Sequence, residues 1–260
     1  MTKDESGSTI QRRKKILEII TEKGEVYIPE LGRLFDVSEV TIRNDLKSLE
    51  EKNLLLRARG GAIKFENFVG MDQALSEKTK IHFQEKVRIG KKAASLIHES
   101  DTIVVDSGTT TAEVVKNLPQ LKELTVITNA LNIANYLVGK PNVKLIIPGG
   151  NLRQNSHSLI GPLAEKNLRN FYVDKAFIGV DGFDTRIGIF TPNIEEAHLN
   201  QIMIDISKEV ILVTDSSKFS RKSLALICSV NHVDIVVTDD GISAEDKQRL
   251  EDSGVRVIIA

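Results

Sequence analysis

The chain has one cysteine, Cys228, and no tryptophan. A single thiol excludes an internal disulfide and any metal site built from several cysteines. Cys228 stands between Ile227 and Ser229 in an apolar stretch, which reads as core packing rather than as a nucleophile. Aromatic residues make up only 5% of the chain, so the core has to be built from Ile, Leu, Val and Ala. No apolar run approaches the roughly 20 residues of a membrane span. No apolar stretch follows Met1-Thr2-Lys3-Asp4-Glu5, so no signal peptide is expected; a cytoplasmic protein with no membrane partner follows. His82, His98, His157, His198 and His232 lack metal-ligand spacing, and neither a G-x-S-x-G elbow nor a G-x-x-x-x-G-K loop occurs. No metal, cofactor or catalytic residue is expected.

What is present suits a soluble chain of two domains: 260 residues, 41% hydrophobic and 27% charged. The net charge of −1 is unevenly spread. Residues 1–65 hold 13 lysines and arginines against 11 acids, and the remainder 22 against 25. Clustering says more than the totals. Arg12-Arg13-Lys14-Lys15 and Arg57-Ala58-Arg59 flank the segment Val37–Glu50, although such runs also occur as plain solvated faces.

That segment reads as a DNA-reading helix. Ser38 caps it through its hydroxyl. Ile42, Leu46 and Leu49 recur at i, i+4 and i+7 as one buried stripe. The other side carries Val40, Thr41, Asn44, Lys47 and Ser48, with Arg43 at the flank. Val40 gains nothing from water, but a thymine methyl in the major groove suits it. Two helical patterns precede it. Residues 10–22 place Ile16, Ile19 and Ile20 on one side, and Gly24 ends the run. Pro29 to Phe35 begins with a proline suited to a first turn and turns Leu31, Leu34 and Phe35 inward. The third helix is expected to run to about Lys52, and Leu54–Ile63 reads as two short strands around Gly60-Gly61. Three helices and a wing make a winged helix-turn-helix. Arg43, Arg57 and Arg59 suit phosphates, and Asn44 suits adenine N6 and N7.

The expected organisation is a DNA-binding domain over 8–65, a linker over 66–85 and an α/β domain over 86–260. Seven β-branched runs follow residue 100: Thr102–Val105, Leu124–Thr128, Val143–Ile147, Lys175–Val180, Val210–Thr214, Asp234–Thr238 and Val255–Ile259. Continuous apolar runs suit strands buried on both faces, hence a mainly parallel sheet. Several end in polar turns, where such sheets place ligands. Asp106-Ser107-Gly108-Thr109-Thr110-Thr111 joins the first run to a helix. Its hydroxyls and the free N–H groups of that helix suit a phosphate, and the same composition suits an ordinary capped turn. Asp181-Gly182-Phe183-Asp184, Asp215-Ser216-Ser217-Lys218 and the turn bearing Asn193, Glu195 and Glu196 add carboxylates, an amide and a lysine. Together they suit a polyhydroxylated phosphate ester.

The chain resembles the DeoR family of bacterial transcriptional repressors. The motifs are VSEVTIRNDLKSLE and RARGGA in the first part, then DSGTTT, VITNALNIA, PGGNLR, FIGVDGF, TPNIEEA and VTDSSKF. The family's usual helix reads T-I-R-R-D-L, and here Asn44 replaces the second arginine. With DSGTTT and SSKFSRKSL, that departure is similar to regulators of N-acetylgalactosamine use. The resemblance implies a repressor that binds double-stranded operator DNA as a homo-oligomer, a dimer or tetramer. It implies control by a phosphorylated sugar such as N-acetylgalactosamine 6-phosphate or a related amino-sugar phosphate. The implied sensor fold is that of ribose-5-phosphate isomerase and glucosamine-6-phosphate deaminase. Ser107, Gly108, Thr109, Thr110 and Thr111 are then expected to hold the phosphate. Asp106, Asp181 with Gly182, Lys218 and Glu196 are expected to face the sugar. The related isomerases carry Asp-Gly-Ala-Asp-Glu where this chain has Asp181-Gly182-Phe183-Asp184-Thr185, so the alternative of an isomerase or deaminase lacks a carboxylate.

Overall fold

A computed structural model describes residues 9–50, 54–64 and 72–260. It divides into two compact units, 1–69 and 70–260.

In the first unit, α1 (Thr9–Lys23) is followed by β1 (Glu25–Tyr27), α2 (Ile28–Phe35), α3 (Glu39–Glu50), β2 (Leu55–Ala58) and β3 (Gly61–Lys64). Gly24, at φ 81°, closes α1 with its N–H on the Ile20 carbonyl. Pro29 lies in the first turn of α2. Ile16 and Ile20 from α1, Leu31 from α2, and Ile42, Leu46 and Leu49 from α3 meet Val26, Leu55 and Ala62 in one small core. The strands order as β1-β3-β2, antiparallel. The wing therefore gains a third strand that the two-strand reading omits. Leu34 is 61% exposed, against the expected inward orientation, because Leu31 and Phe35 already close that side of α2. The expected end of the third helix near Lys52 lies outside the described residues.

The second unit holds a parallel sheet of seven strands in the order β15-β14-β12-β9-β4-β5-β6. It starts with two helices, α4 (Leu75–Lys78) and α5 (Phe83–Ala94). Then come β4 (Thr102–Val105), α6 (Thr109–Lys116), β5 (Leu124–Thr128), α7 (Leu131–Leu137) and β6 (Val143–Ile146). A hairpin, β7 (Asn151–Arg153) and β8 (Ser158–Ile160), leads to α8 (Pro162–Leu168) and β9 (Val173–Ile178). β10 (Gly182–Asp184), β11 (Gly188–Thr191), α9 (Ile194–Asp205), β12 (Ser207–Val213), β13 (Ala225–Cys228), β14 (Ile235–Thr238), α10 (Ala244–Asp252) and β15 (Arg256–Ile259) complete it. β10, β11 and β13 form a separate small antiparallel sheet.

Alternation along each strand feeds two cores. Ile103, Val105, Val126, Phe177, Ile211 and Val213 pack with α5, α6 and α7. Val104, Ile127, Ala176, Ile178 and Leu212 pack with α8, α9 and α10. All seven apolar runs are the seven strands, with ends shifted by up to three residues.

The strand order fixes the site. From β4 the chain moves outward through β5 and β6, then returns to the other side of β4 at β9 and continues through β12, β14 and β15. The reversal between β4 and β9 leaves a crevice at their carboxyl ends. The linker expected over 66–85 is not a free connection from Asp72 onward. Leu75 donates its N–H to the Asn155 carbonyl at 2.8 Å, Lys78 pairs with Asp181, and α5 begins at Phe83. Residues 66–71 of that range lie outside the described residues.

Candidate functional site

In the first unit α3 is set by its cap and by a buried charge. Ser38 Oγ accepts the Thr41 N–H at 3.2 Å and lies 2.9 Å from the Thr41 hydroxyl. Asp45, 1% exposed, accepts Arg12 Nε at 2.6 Å and Arg13 Nε at 2.7 Å. Arg13 also donates to Ser48 at 2.7 Å. Arg12 and Arg13 thus fasten α1 to α3 and are not part of a basic surface. Ser48 is likewise occupied on that side of α3. Lys14 and Lys15 remain exposed.

Ser38, Val40, Arg43, Asn44 and Lys47 are exposed on or beside α3, and Thr41 is half-buried. Val40 is 61% exposed. Arg43 pairs with Glu39 one turn back at 2.8 Å. In the wing, Arg57 is 3.8 Å from Glu50, and Arg59 sits exposed at the hairpin turn. The structure therefore gathers Ser38, Val40, Thr41, Arg43, Asn44 and Lys47 along one helix, with Arg57 and Arg59 in the wing. Gly60 turns the hairpin at φ 87°. Gly61 is forced by contact, since a Cβ there would collide with the Val26 carbonyl of β1.

In the second unit a cleft opens at the β4–β9 crevice. Asp106, Ser107, Gly108, Thr109, Thr110, Asp181, Glu196 and Lys218 all line it. These residues lie as far apart in sequence as 106 and 218, and the switch point brings them together. Within α6 the first helical bond runs from the Ala112 N–H to the Gly108 carbonyl. The N–H groups of Thr109, Thr110 and Thr111 thus precede the helix's own acceptors, the arrangement that suits an anion. Gly108 has φ 164°, extended backbone open to any residue; its bareness matters only because a Cβ would lie 3.0 Å from the Thr111 hydroxyl.

Two expected members stand elsewhere. Thr111 is fully buried, its hydroxyl bonded to the Gly108 carbonyl at 3.2 Å, so it braces the loop from behind. Gly182 packs against the Arg221 backbone in β10 and does not line the cleft. Of the adjacent acids, Glu196 is buried and lines the cleft, whereas Glu195 is exposed. Asn193 caps α9 by accepting the Glu196 N–H. Glu196 accepts Ser158 Oγ at 2.8 Å and Arg153 at 3.3 Å.

Three residues outside the expected set change the charge of the cleft. Lys78 and Lys86 line it, and Arg153 pairs with the lining residue Glu196 and with Asp72. Lys78 Nζ lies 2.6 Å from Asp181, and Lys86 Nζ donates to the Lys78 carbonyl at 2.6 Å. Burial pulls Lys86 down to about 8, with Lys218 and Lys78 pulling further against the pull of Asp215. Burial, with the Glu196 charge, pushes Asp106 up to about 8. Asp106 Oδ2 nevertheless lies 3.3 Å from Asn200 Nδ2 and 3.4 Å from the Gly179 N–H. Burial also pushes Asp181 up, but the Lys78 and Lys218 ammonium groups outweigh it and hold the carboxyl below its ordinary value. Lys218 is presented by the turn Ser216–Lys218, which Asp215 and Asp239 fasten through Ser217 and Ser216.

Chemically, the cleft lining combines the amino groups of Lys78, Lys86 and Lys218, the hydroxyls of Ser107, Thr109, Thr110, Ser156 and Thr191, and the carboxyl groups of Asp106, Asp181, Glu196 and Asp215, a mixture that suits an anion bearing hydroxyl groups. Among the described residues no group of His, Cys, Asp and Glu is placed to hold a metal ion. Thr185 donates to Asp246 at 2.8 Å and does not line the cleft.

Residues 12–67 match the DeoR-like helix-turn-helix domain, and residues 81–240 match the DeoR C-terminal sensor domain. The chain is 36% identical over 252 residues to an Escherichia coli O157:H7 protein assigned as transcriptional repressor of the aga operon; the match spans 96% of this chain and 94% of that one. It is 32% identical over 256 residues to the regulator GolR of Listeria innocua, spanning 96% of this chain and 98% of the relative. Among solved structures, ribose 5-phosphate isomerase A of Methanocaldococcus jannaschii aligns over 53% of this chain and 55% of its own, with 16% identity and a TM-score of 0.38.

Proposed function

The chain belongs to the DeoR family of helix-turn-helix transcriptional repressors, and we propose that it represses a carbohydrate-use operon under the control of a phosphorylated sugar held in the cleft. It is a DNA-binding regulator rather than an enzyme. The observation that carries the effector reading is the convergence of Lys78, Lys86 and Lys218 with Ser107, Thr109 and Thr110 at the start of α6. A phosphate takes the helix N–H groups and the ammonium groups, and the carboxyl groups of Asp106 and Asp181 face sugar hydroxyls. Within that class we propose an amino-sugar phosphate, such as N-acetylgalactosamine 6-phosphate, as the effector.

On DNA, Asn44 reads an adenine and Val40 a thymine methyl, while Arg43, Lys47, Arg57 and Arg59 contact phosphates and Ser38 and Thr41 hold the helix start. The protein acts in the cytoplasm as a dimer or tetramer on repeated half-sites. No helix among the described residues is long and apolar enough to cross a membrane. Control requires that the effector bind the DNA-competent and incompetent arrangements with unequal affinity.

The test is a gel-shift titration on DNA from the chain's own upstream region with a panel of sugar phosphates. A change in DNA affinity with at least one of them supports the reading. Lys218→Ala should keep DNA affinity and blunt that response. Unaltered sensitivity in this variant counts against the site, and no response across the panel counts against the effector class.

A further inference from the structure

The segment Asp72–His82 forms one wall of the cleft. Gln73, Leu75, Lys78 and Ile81 line it alongside the β4 and β9 loops. It is tied down at several points. Asp72 pairs with Arg153 and accepts Asn155 Nδ2 at 2.9 Å. Leu75 is bonded to the Asn155 carbonyl, and Lys86 grips the Lys78 carbonyl. Those ties run to the β7–β8 hairpin and to α5. The link to the end of β9 is the ion pair of Lys78 with Asp181 at 2.6 Å, and unlike the pair of Asp72 with Arg153 both of its partners line the cleft.

An anion entering this cleft meets Lys78 already engaged with a carboxylate. A phosphate dianion carries more charge than Asp181 and more acceptor oxygens, so it competes for the same ammonium. Lys86 and Lys218 stay within electrostatic reach of the site, so the ligand does not depend on Lys78 alone for charge. Lys78 is therefore placed to report occupancy as well as to bind. The segment also has a position along the chain that no other wall of the cleft has. Asp72 is eight positions after Lys64, the last residue of β3 in the wing. Among the residues that line the cleft, those of this segment are therefore the nearest in sequence to the DNA-binding unit.

We infer that Asp72–His82 is the strap that transmits effector occupancy, with Lys78 exchanging Asp181 for the anionic group of the ligand. This rests on the effector reading above and adds the part of the site that moves. An exchange of this kind is a local charge event with a two-position element, which is what a switch requires. It also assigns Lys78 a role distinct from Lys218, which stands on a turn held by Asp215 and Asp239.

The experiment uses the full chain with galactose 6-phosphate, glucosamine 6-phosphate, N-acetylgalactosamine 6-phosphate and ribose 5-phosphate as probes. Calorimetry gives affinity, hydrogen exchange follows residues 72–82, and anisotropy follows release of DNA from the chain's upstream region. In the native chain the tightest-binding probe should change exchange in 72–82. In Lys78→Gln its affinity should fall roughly tenfold, the value of a charge-assisted hydrogen bond. At saturation that variant should show neither the exchange change nor the DNA response, and Lys78→Arg should recover both. If the native chain binds a probe with no change in 72–82, the strap is overturned while the effector reading stands. A native-like response of saturated Lys78→Gln overturns it equally. If no probe binds the native chain, the effector reading and the strap fall together.

Discussion

Arg12 Nε lies 2.6 Å from Asp45 Oδ2, both side chains buried, and this pair joins the first helix to the reading helix. A buried arginine left without its carboxylate costs far more than an exposed pair contributes. Asp45→Ala should therefore destabilise the first unit by about 3–5 kcal/mol. Urea unfolding followed by a probe in residues 9–64 measures it. A loss of only about 0–1 kcal/mol, the range of surface pairs, would show that water reaches Arg12 in solution.

Asn44 and Arg59 should fail in different ways on DNA. Asn44→Ala is expected to cost about 1–3 kcal/mol on the operator and to relax the preference at one base pair. Arg59→Ala should weaken binding to all sequences alike and lower the salt slope by about 1. Binding isotherms on specific and random duplexes at several salt concentrations separate the two. Equal losses on both duplexes for Asn44→Ala would remove it from base reading.

The two shifted groups in the cleft give stability a bent dependence on pH. Asp106 rises from 3.8 to about 8, so between those values the folded state holds a proton that the unfolded chain has lost. Stability from this group is intact below 3.8, falls as pH rises to about 8 and is level above. Lys86 falls from 10.5 to about 8, so across that window the unfolded chain binds more protons and stability rises with pH. Denaturant titrations from pH 4 to 10 should show Asp106→Asn flattening the lower limb and Lys86→Met flattening the upper one.

Neighbouring glycines in the wing should respond unequally to alanine. At Gly60 the only obstacle is its left-handed backbone, with nothing within 4 Å of a Cβ, and the cost should be about 1–2 kcal/mol. At Gly61 the added methyl collides with the Val26 carbonyl, so β1 and β3 have to part. Gly61→Ala should then lose more stability than Gly60→Ala and weaken DNA binding as well, measured by thermal unfolding and anisotropy. Equal losses would mean that the strand pair separates at little cost.

The seven strands of the large sheet were legible because burial on both faces writes a continuous apolar run. The hairpin Asn151–Ile160 and the small sheet around Phe183 were not, because Asn151–Arg153, Ser158–Ile160 and Gly182–Asp184 are three residues long and mix polar with apolar residues, so they write no apolar run. The reading helix was legible from Ile42, Leu46 and Leu49, which all reach the core. Arg12 and Arg13 were misread because a charge run looks the same whether water or a distant Asp45 neutralises it. Lys86 was missed because a lysine on a helix with a polar face carries no sign of burial, and Lys78 for a related reason. A four-residue helix in a polar stretch resembles a linker, and only the fold shows that it closes the cleft. Thr111 and Gly182 belong to the right motifs, yet the strand-to-helix geometry turns one inward and packs the other on Arg221.

The meeting of β4 and β9 at the reversal of strand order has one more outcome. Any metabolite seated there touches segments from both halves of the sensor, so it can be held only by a chain that has finished folding. At a concentration one hundred times its dissociation constant it adds about 2.7 kcal/mol of resistance to unfolding. A ligand of the class proposed above would thereby slow the proteolysis of each copy that holds it.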